Sequence, residues 1–138
     1  MELLRCLVVD DEELERELIA QYLEGVAACD MATDGGEAVA KFQASLETDS
    51  RYDLIILDIL MPGMDGYEAG KAIRRMEKER GITLPGQVKI VVLSSLNTPY
   101  DVMQSFMTTQ SAAHLVKPVE PAKLRETLGK LGLRRKAS

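Results

Sequence analysis

Short apolar segments alternate along this chain with segments whose apolar residues recur at helical spacing. The predicted strands cover residues 3–9, 28–31, 54–57, 89–93 and 115–116. Between and after them, apolar residues three or four positions apart indicate amphipathic helices within 14–23, 38–46, 69–76, 102–106 and 121–131, with loops at 47–51 and 81–86. Five alternating strand and helix units predict an α/β fold, a doubly wound five-stranded parallel sheet with helices on both faces.

The composition is typical of one globular domain. The chain has 138 residues, of which 46% are hydrophobic and 28% charged. A chain near this size buries roughly 68–70% of the surface that its unfolded form exposes, so folding requires neither disulfides nor a metal ion. We place the domain at residues 1–133 and expect the basic residues 134–138 to form a frayed tail.

Charge and cysteine content exclude several function classes. The net charge of −5 argues against a nucleic-acid surface, because phosphate backbones attract basic faces. No segment approaches the roughly 18 apolar residues of a membrane span, and the N-terminal apolar segment is too short for a secretory signal. We therefore expect a cytoplasmic protein without a membrane role. Cys6 and Cys29 lack the spacing of a metal site or a disulfide framework, so both are expected to be reduced and buried.

Polar residues with related chemistry stand at the ends of four predicted strands. They are Asp10 and Asp11 after the first, Asp58 after the third, Ser94 and Ser95 after the fourth, and Lys117 after the fifth. In open α/β sheets, ligands bind outside the carboxyl ends of the strands. Two like charges about 4 Å apart repel by roughly 4 kcal/mol at an effective dielectric of 20, so three carboxylates need more than one lysine. Oxygen ligands of this kind suit Mg²⁺ or Mn²⁺, which suggests metal-assisted phosphoryl chemistry.

The order of these motifs resembles the receiver domains of two-component response regulators. The matching motifs are Val8-Val9-Asp10-Asp11, Leu57-Asp58 with Met61-Pro62-Gly63-Met64-Asp65-Gly66, Ser94-Ser95 and Lys117-Pro118. The resemblance spans nearly the whole chain, and its motifs are specific in combination. It implies the flavodoxin-like strand order 2-1-3-4-5.

The resemblance also implies roles for individual residues. Asp58 would be the phosphoacceptor, a carboxylate nucleophile that takes a phosphoryl group from a histidine kinase or a phosphotransfer protein. Lys117 would pair with one phosphoryl oxygen, and the switch residue Ser94 would donate its hydroxyl to another. The implied metal ligands are Asp10, Asp11, Asp58 and the backbone carbonyl of Leu60. Such a domain catalyses its own phosphorylation and dephosphorylation and is not a turnover enzyme.

Signal output would follow from a shift of the fourth helix and the fifth strand, which changes the surface that a partner recognises. The implied partners are a kinase or phosphotransfer protein upstream and an effector protein or fused output domain downstream. Homodimerisation through the fourth helix, fifth strand and fifth helix is left open. Because the chain ends soon after the fifth predicted helix, we expect either a stand-alone protein or a fragment of a longer regulator.

Two features depart from the usual switch pattern of the family. His114, three residues before Lys117, stands where Tyr or Phe is usual, so we weigh an ordinary, partly exposed histidine against a modified or pH-sensitive switch contact. The spacing from Ser94 to Lys117 is one residue longer than the family pattern, which keeps Ser95 as a second candidate for the switch hydroxyl.

Leu60 and Leu96 resemble the positions that tune phosphoryl lifetime in the family, and both are apolar here. We expect these leucines to hinder an attacking water molecule and to make the phosphoryl group long-lived. Loss of the group within seconds in the presence of Mg²⁺ would contradict this expectation.

Simpler interpretations compete with these roles. Asp10 and Asp11 could cap the first helix, as expected for Glu12, Glu13, Glu15 and Glu17. Asp58 could be an ordinary strand-end carboxylate, and Lys117 a solvated lysine. Gap filling in the core is the default expectation for Met61, Met64, Met103 and Met107.

Three other functions fit the same fold. A haloacid-dehalogenase-like phosphatase normally needs an acid two residues after the nucleophile. This chain has Leu60 there, so the general acid for leaving-group release is missing. A flavodoxin-like carrier would have to bind phosphate at residues 10–13, but these residues are all acidic and would repel it. A phosphorylation-independent interaction domain with the same fold remains the main alternative.

Overall fold

The fold is a three-layer α/β sandwich. The computed structural model describes residues 3–61, 65–95 and 98–133. The strands are β1 (Leu4–Val9), β2 (Ala27–Ala32), β3 (Leu54–Asp58), β4 (Lys89–Ser94) and β5 (Ala113–Val116). The helices are α1 (Glu13–Tyr22), α2 (Gly35–Leu46), α3 (Gly66–Glu79), α4 (Pro99–Thr109) and α5 (Pro121–Lys130), with a short 3-10 helix (Leu84–Gly86) in the predicted 81–86 loop. The parallel strand order β2-β1-β3-β4-β5 confirms the predicted fold.

Hydrophobic side chains cover both faces of the sheet, because successive strand residues point to opposite sides. On one face the core includes Leu7, Val9, Ile55, Leu57, Phe42 and Ile73, of which the last two lie on α2 and α3. On the other face it includes Val8, Ile56, Leu93, Ile19, Leu124 and Leu128, of which the last three lie on α1 and α5. The alternation of the strands therefore determines which side chains reach α1 and α5.

Side-chain caps begin three of the helices. Asp34 accepts a hydrogen bond from the Glu37 N–H at the start of α2, and Asp65 does the same for Glu68 at the start of α3. Thr98 opens α4 with a capping box. These caps satisfy backbone donors that have no partner within the helix. They also explain why α2, α3 and α4 begin three residues before the first apolar residue that predicted each of them.

Methionine burial differs from the expectation. Met61 is buried in the core as predicted, but Met103 and Met107 on α4 are 60% and 72% exposed, so gap filling is wrong for these two. The reason is that α4 buries the small polar residues Ser105 and Thr109 toward the domain. Exposed Met103 and Met107 leave an apolar surface on α4.

The expectation that both cysteines are reduced and buried holds in full for Cys6 only. Cys6 is a buried free thiol, whereas Cys29 is a free thiol that is only partly buried. Within the described ranges, no helix is both long and apolar enough to cross a membrane. The expectations for residues 62–64, for Leu96 and for the basic tail 134–138 lie outside the described residues, and the domain boundary at residue 133 stays a prediction.

Candidate functional site

Three charged side chains converge at the carboxyl edge of the sheet. Asp10 follows β1, Asp58 ends β3 and Lys117 follows β5. The Lys117 Nζ lies 2.9 Å from Asp10 Oδ2 and 3.1 Å from Asp58 Oδ2, and both carboxylates are buried. Lys117 is therefore an ion-paired, partly buried side chain rather than a solvated lysine.

Asp11 completes an acidic cluster with two of these residues. Asp10, Asp11 and Asp58 each offer one carboxylate oxygen, and these oxygens all lie within 4.8 Å of one another. Asp10 also accepts a hydrogen bond from the Glu12 N–H at 2.9 Å, so it orders the loop before α1 as well as lining the site. A set of hard oxygen donors at this separation can hold a small divalent cation.

Burial and charge act in opposite directions on the two buried carboxyl groups. Burial raises the pKa of Asp58, and the negative charge of Asp10 adds to this effect, whereas Lys117 opposes it. Burial would also raise the pKa of Asp10, but hydrogen bonds with Glu15, the Glu12 N–H and Lys117 outweigh burial and lower it. The folded domain therefore disfavours the ionised form of Asp58 and favours the ionised form of Asp10.

The sequence matches a family over most of its length. Residues 6–129 match the family model for the response regulator receiver domain. The chain belongs to this family. It is 33% identical over 131 residues to the two-component response regulator ORR41 of Oryza sativa subsp. japonica, covering 95% of this chain and 96% of that protein. It is 35% identical over 130 residues to the sensory/regulatory protein RpfC of Xanthomonas campestris pv. campestris, covering 94% of this chain but only 17% of that protein.

Solved receiver structures share the fold. The Thermotoga maritima response regulator TrrA in complex with Mg²⁺-BeF is 34% identical with a TM-score of 0.73, covering 94% of this chain and 99% of that chain. A chain in the co-crystal structure of the Saccharomyces cerevisiae histidine phosphotransfer signalling protein Ypd1 with the receiver domain of Ssk1 is 25% identical with a TM-score of 0.82, covering 95% and 90%. The predicted family and two-component signalling function are thus confirmed, and receiver domains are generally not turnover enzymes.

The two candidate switch hydroxyls of this receiver domain occupy different places. Ser94 is the last residue of β4 and is 1% exposed, and strand alternation puts it on the face opposite Leu93, toward α3 and α4. Ser95 is exposed and lines the pocket that Asp58 and Lys117 also line. Ser94 is therefore buried, whereas Ser95 is exposed and lines the pocket.

His114 lies on β5 and reaches α4. Its Nδ1 is 2.9 Å from the Oγ of the fully buried Ser105, and its side chain is partly exposed. Because Leu115 faces α1 and α5, His114 faces the same side of the sheet as Ser94. His114 thus connects β5 to α4, although its role in switching stays a prediction.

The sequence interpretation missed one residue of the receiver site. Glu15, expected only to complement the helix dipole, places Oε2 2.5 Å from Lys117 Nζ and lines the pocket with Asp58. A hydrogen bond with Asp10 raises the pKa of Glu15, and burial adds to this. Burial alone would lower the pKa of Lys117, but its contacts with Glu15 and Asp10 outweigh burial and raise it. This role becomes visible only in the contact between Glu15 and Lys117, which are 102 positions apart in the sequence. A single sequence carries no signal for such a contact.

Gly66 permits a close approach of α3 to the end of β3. A Cβ atom at Gly66 would lie 2.4 Å from the Asp58 carbonyl oxygen and 2.7 Å from the Ile59 Cα, both of which belong to the backbone. We predict that Gly66→Ala lowers the free energy of unfolding by about 1–3 kcal/mol, as overpacking typically does. Urea denaturation measures this change.

Gly129 provides the matched control for that substitution. It lies within α5, and an added Cβ would meet no atom within 4 Å. Gly129→Ala should leave the free energy of unfolding unchanged or raise it by up to about 1 kcal/mol through helix propensity. Equal effects of the two substitutions would refute the close-approach explanation.

Proposed function

We propose that Asp58 is the phosphoacceptor of this receiver domain. The observation that carries the proposal is the buried carboxylate at the end of β3, held 3.1 Å from the Lys117 ammonium and beside Asp10 and Asp11. A carboxylate whose ionised form is destabilised by burial and whose charge is only partly offset is suited to act as a nucleophile. The pocket above it, lined also by Leu60 and Ser95, gives a phosphodonor access.

The acidic cluster fits a divalent cation. Asp10, Asp11 and Asp58 supply oxygen ligands, and the Leu60 carbonyl is the proposed fourth protein ligand for Mg²⁺ or Mn²⁺. The bound cation would supply charge compensation for the phosphoryl oxygens and the acidic cluster. The fit is electrostatic, because Lys117 alone cannot neutralise three carboxylates.

In the proposed reaction, an ionised Asp58 oxygen attacks the phosphorus atom of a phosphohistidine or of a small acyl phosphate. A new oxygen–phosphorus bond forms as the bond from phosphorus to the donor's nitrogen or oxygen breaks, and the donor leaves with the bonding electrons. A phosphohistidine donor then becomes neutral imidazole once its nitrogen is protonated. Lys117 donates to a phosphoryl oxygen and stabilises its negative charge. In this sense the domain catalyses its own modification.

We propose that the phosphodonor is a histidine kinase or phosphotransfer protein that docks beside α1. Leu14 and Leu18 on this helix are exposed, and Leu18 lines a crevice that reaches Lys117 and Pro118. We infer that these two exposed leucines, one of which borders the crevice, form part of a protein-binding edge. The co-crystal structure of Ypd1 with the Ssk1 receiver domain supports a partner of this class.

The output surface is proposed to lie on α4 and β5. Tyr100, Met103 and Met107 are exposed on α4, and Val116 is exposed on β5. Phosphorylation would bias the position of α4 through Ser94 and the His114–Ser105 contact, which changes this surface. The downstream partner would be an effector protein, a fused output domain or a second copy of the domain. No direct nucleic-acid contact is proposed, and the cytoplasmic location stays a prediction.

Leu60 should lengthen the lifetime of the phosphoryl group. It is 53% exposed and lines the pocket beside Asp58. We expect its apolar side chain to hinder a hydrolytic water molecule there. We predict that phosphoryl loss in Mg²⁺ takes minutes or longer, and that Leu60→Asn accelerates the loss by about tenfold because an amide can orient water. Intact mass spectrometry over time measures both rates, with Leu84→Asn as a matched control at an exposed leucine away from the pocket. Loss within seconds in the unaltered protein would refute the prediction.

Beryllofluoride, a phosphoryl analogue, tests the proposed function without a chemical reaction. We expect addition of beryllofluoride to the domain already in Mg²⁺ to shift backbone NMR resonances at Asp58, Ser95 and Lys117 and on α4, and to shift none of them in Asp58→Asn in Mg²⁺. Shifts confined to residues far from the pocket would contradict the proposal. No shift in the unaltered domain would instead favour the phosphorylation-independent interaction domain.

A further inference from the structure

The Lys117 ammonium is shared among three carboxylates before any phosphoryl group arrives. Its Nζ lies 2.5 Å from Glu15 Oε2, 2.9 Å from Asp10 Oδ2 and 3.1 Å from Asp58 Oδ2. A lysine ammonium has three N–H donors. A phosphoryl oxygen that pairs with Lys117 must therefore displace one of these carboxylates or weaken its contact.

Glu15 is the carboxylate that can release Lys117 most readily. Its side chain is 34% exposed, whereas those of Asp10 and Asp58 are 5% and 6% exposed. Asp10 is also fixed by the Glu12 N–H, and Asp58 carries the modification itself under the proposed function. Water can solvate a released Glu15 carboxylate, so its departure leaves no unpaired buried charge.

Glu15 also adds negative charge to the entrance of the pocket. Asp11, Glu12 and Glu15 line the same pocket as Asp58. A phosphodonor is an anion, and an acidic entrance lowers its local concentration. The direct contact with Lys117 and the field at the entrance therefore act in the same direction, against the arriving phosphoryl group.

We propose that Glu15 is a positioning residue that holds Lys117 in the unmodified domain and competes with the phosphoryl oxygens for its ammonium. The inference rests on the proposed phosphorylation of Asp58. Glu15 thus raises the phosphodonor concentration at which the domain responds, and it makes modification by small phosphodonors less efficient. A protein phosphodonor docked beside α1 could overcome this barrier through its binding energy.

The test compares Glu15→Gln with Glu17→Gln, which removes the same charge from an exposed position on the same helix. Initial rates of phosphorylation are measured by intact mass spectrometry across acetyl phosphate concentrations at fixed Mg²⁺. We expect Glu15→Gln to lower the half-saturating concentration by about threefold to tenfold, because a neutral hydrogen bond replaces a charge-assisted one. Glu17→Gln should behave like the unaltered domain.

Salt dependence and beryllofluoride binding separate the contact from the general field. Repulsion between exposed charges is screened within about 8–10 Å at 0.1–0.15 M salt. We therefore expect most of the Glu15→Gln effect to persist at 0.5 M NaCl, and beryllofluoride with Mg²⁺ to bind this variant more tightly by a similar factor. Glu15→Asp, which keeps the charge but is too short by one methylene to hold Lys117, should resemble Glu15→Gln at high salt.

Each outcome bears on a single claim. If Glu15→Gln matches Glu17→Gln, or if it is modified at higher half-saturating concentrations than the unaltered domain, the competition proposal is overturned. If the effect disappears at high salt, Glu15 acts only through its field and the contact proposal is overturned. If the unaltered domain takes up no phosphoryl group, the proposed function fails instead.

Discussion

Replacement of Asp58 by Asn is expected to abolish phosphoryl uptake. The amide has no anionic oxygen to attack phosphorus, so the rate of modification by acetyl phosphate should fall at least about a hundredfold, as for other groups that take part directly in a reaction. The substitution should not unfold the domain. Burial raises the pKa of Asp58, which means that folding favours its neutral form, and Asn is neutral at every pH.

The matched control for this prediction is Asp34→Asn. Asp34 caps α2, and Asn caps helices about as well as Asp, so the change should affect neither stability nor phosphorylation. Thermal unfolding of all three proteins shows whether the comparison involves folded domains. Continued uptake of one phosphoryl group by Asp58→Asn would place the phosphoacceptor elsewhere in the chain.

The second large effect is predicted for Glu77, away from the proposed site. Its side chain is 1% exposed, and its two oxygens accept hydrogen bonds from Arg74 Nη1 and the Val88 N–H, both at 2.7 Å. Glu77→Ala leaves a largely buried guanidinium and a backbone donor without these acceptors. We expect the free energy of unfolding to fall by about 3–5 kcal/mol, the usual cost of breaking a buried ion pair. Urea denaturation measures it.

An exposed ion pair provides the comparison. Glu126 and Lys130 lie one turn apart on α5 with their charged ends in solvent, so Glu126→Ala should not change stability measurably. A loss below about 1 kcal/mol for Glu77→Ala would show that the Arg74 network rearranges around other acceptors. In the structure Arg74 also donates to the carbonyls of Thr109, Val88 and Gln110.

The architecture was predictable from the sequence because short apolar segments alternate with segments whose apolar residues recur at helical spacing. The boundaries were less predictable, since helix starts depend on caps. Periodicity first appears at Val102, yet α4 begins at Pro99 because Thr98 and Asp101 cap each other's backbone donors. The exposure of Met103 and Met107 also escaped prediction, because the face that a helix turns inward depends on its neighbours.

The candidate site followed from a general property of parallel sheets, whose carboxyl ends meet at one edge. From that property, the sequence alone predicts that Asp10, Asp58 and Lys117 lie close together, as they do in the structure. It could not select Glu15 from the acidic residues around the start of α1, because the rotation of the helix decides which of them faces Lys117. The burial of Glu77 could not be predicted either, because Glu77 lies in a charged segment and burial depends on packing rather than on residue type.

The most direct test of the account is an intact mass measurement of the purified domain after incubation with acetyl phosphate, with Mg²⁺ and with a chelator in its place. We predict the added mass of one phosphoryl group in Mg²⁺, its loss on treatment with hydroxylamine as expected for an acyl phosphate, and no addition in the chelator. An equal addition without a divalent cation would contradict the assigned role of the acidic cluster. No addition under any condition, with the domain folded, would contradict the assignment of Asp58 as a phosphoacceptor.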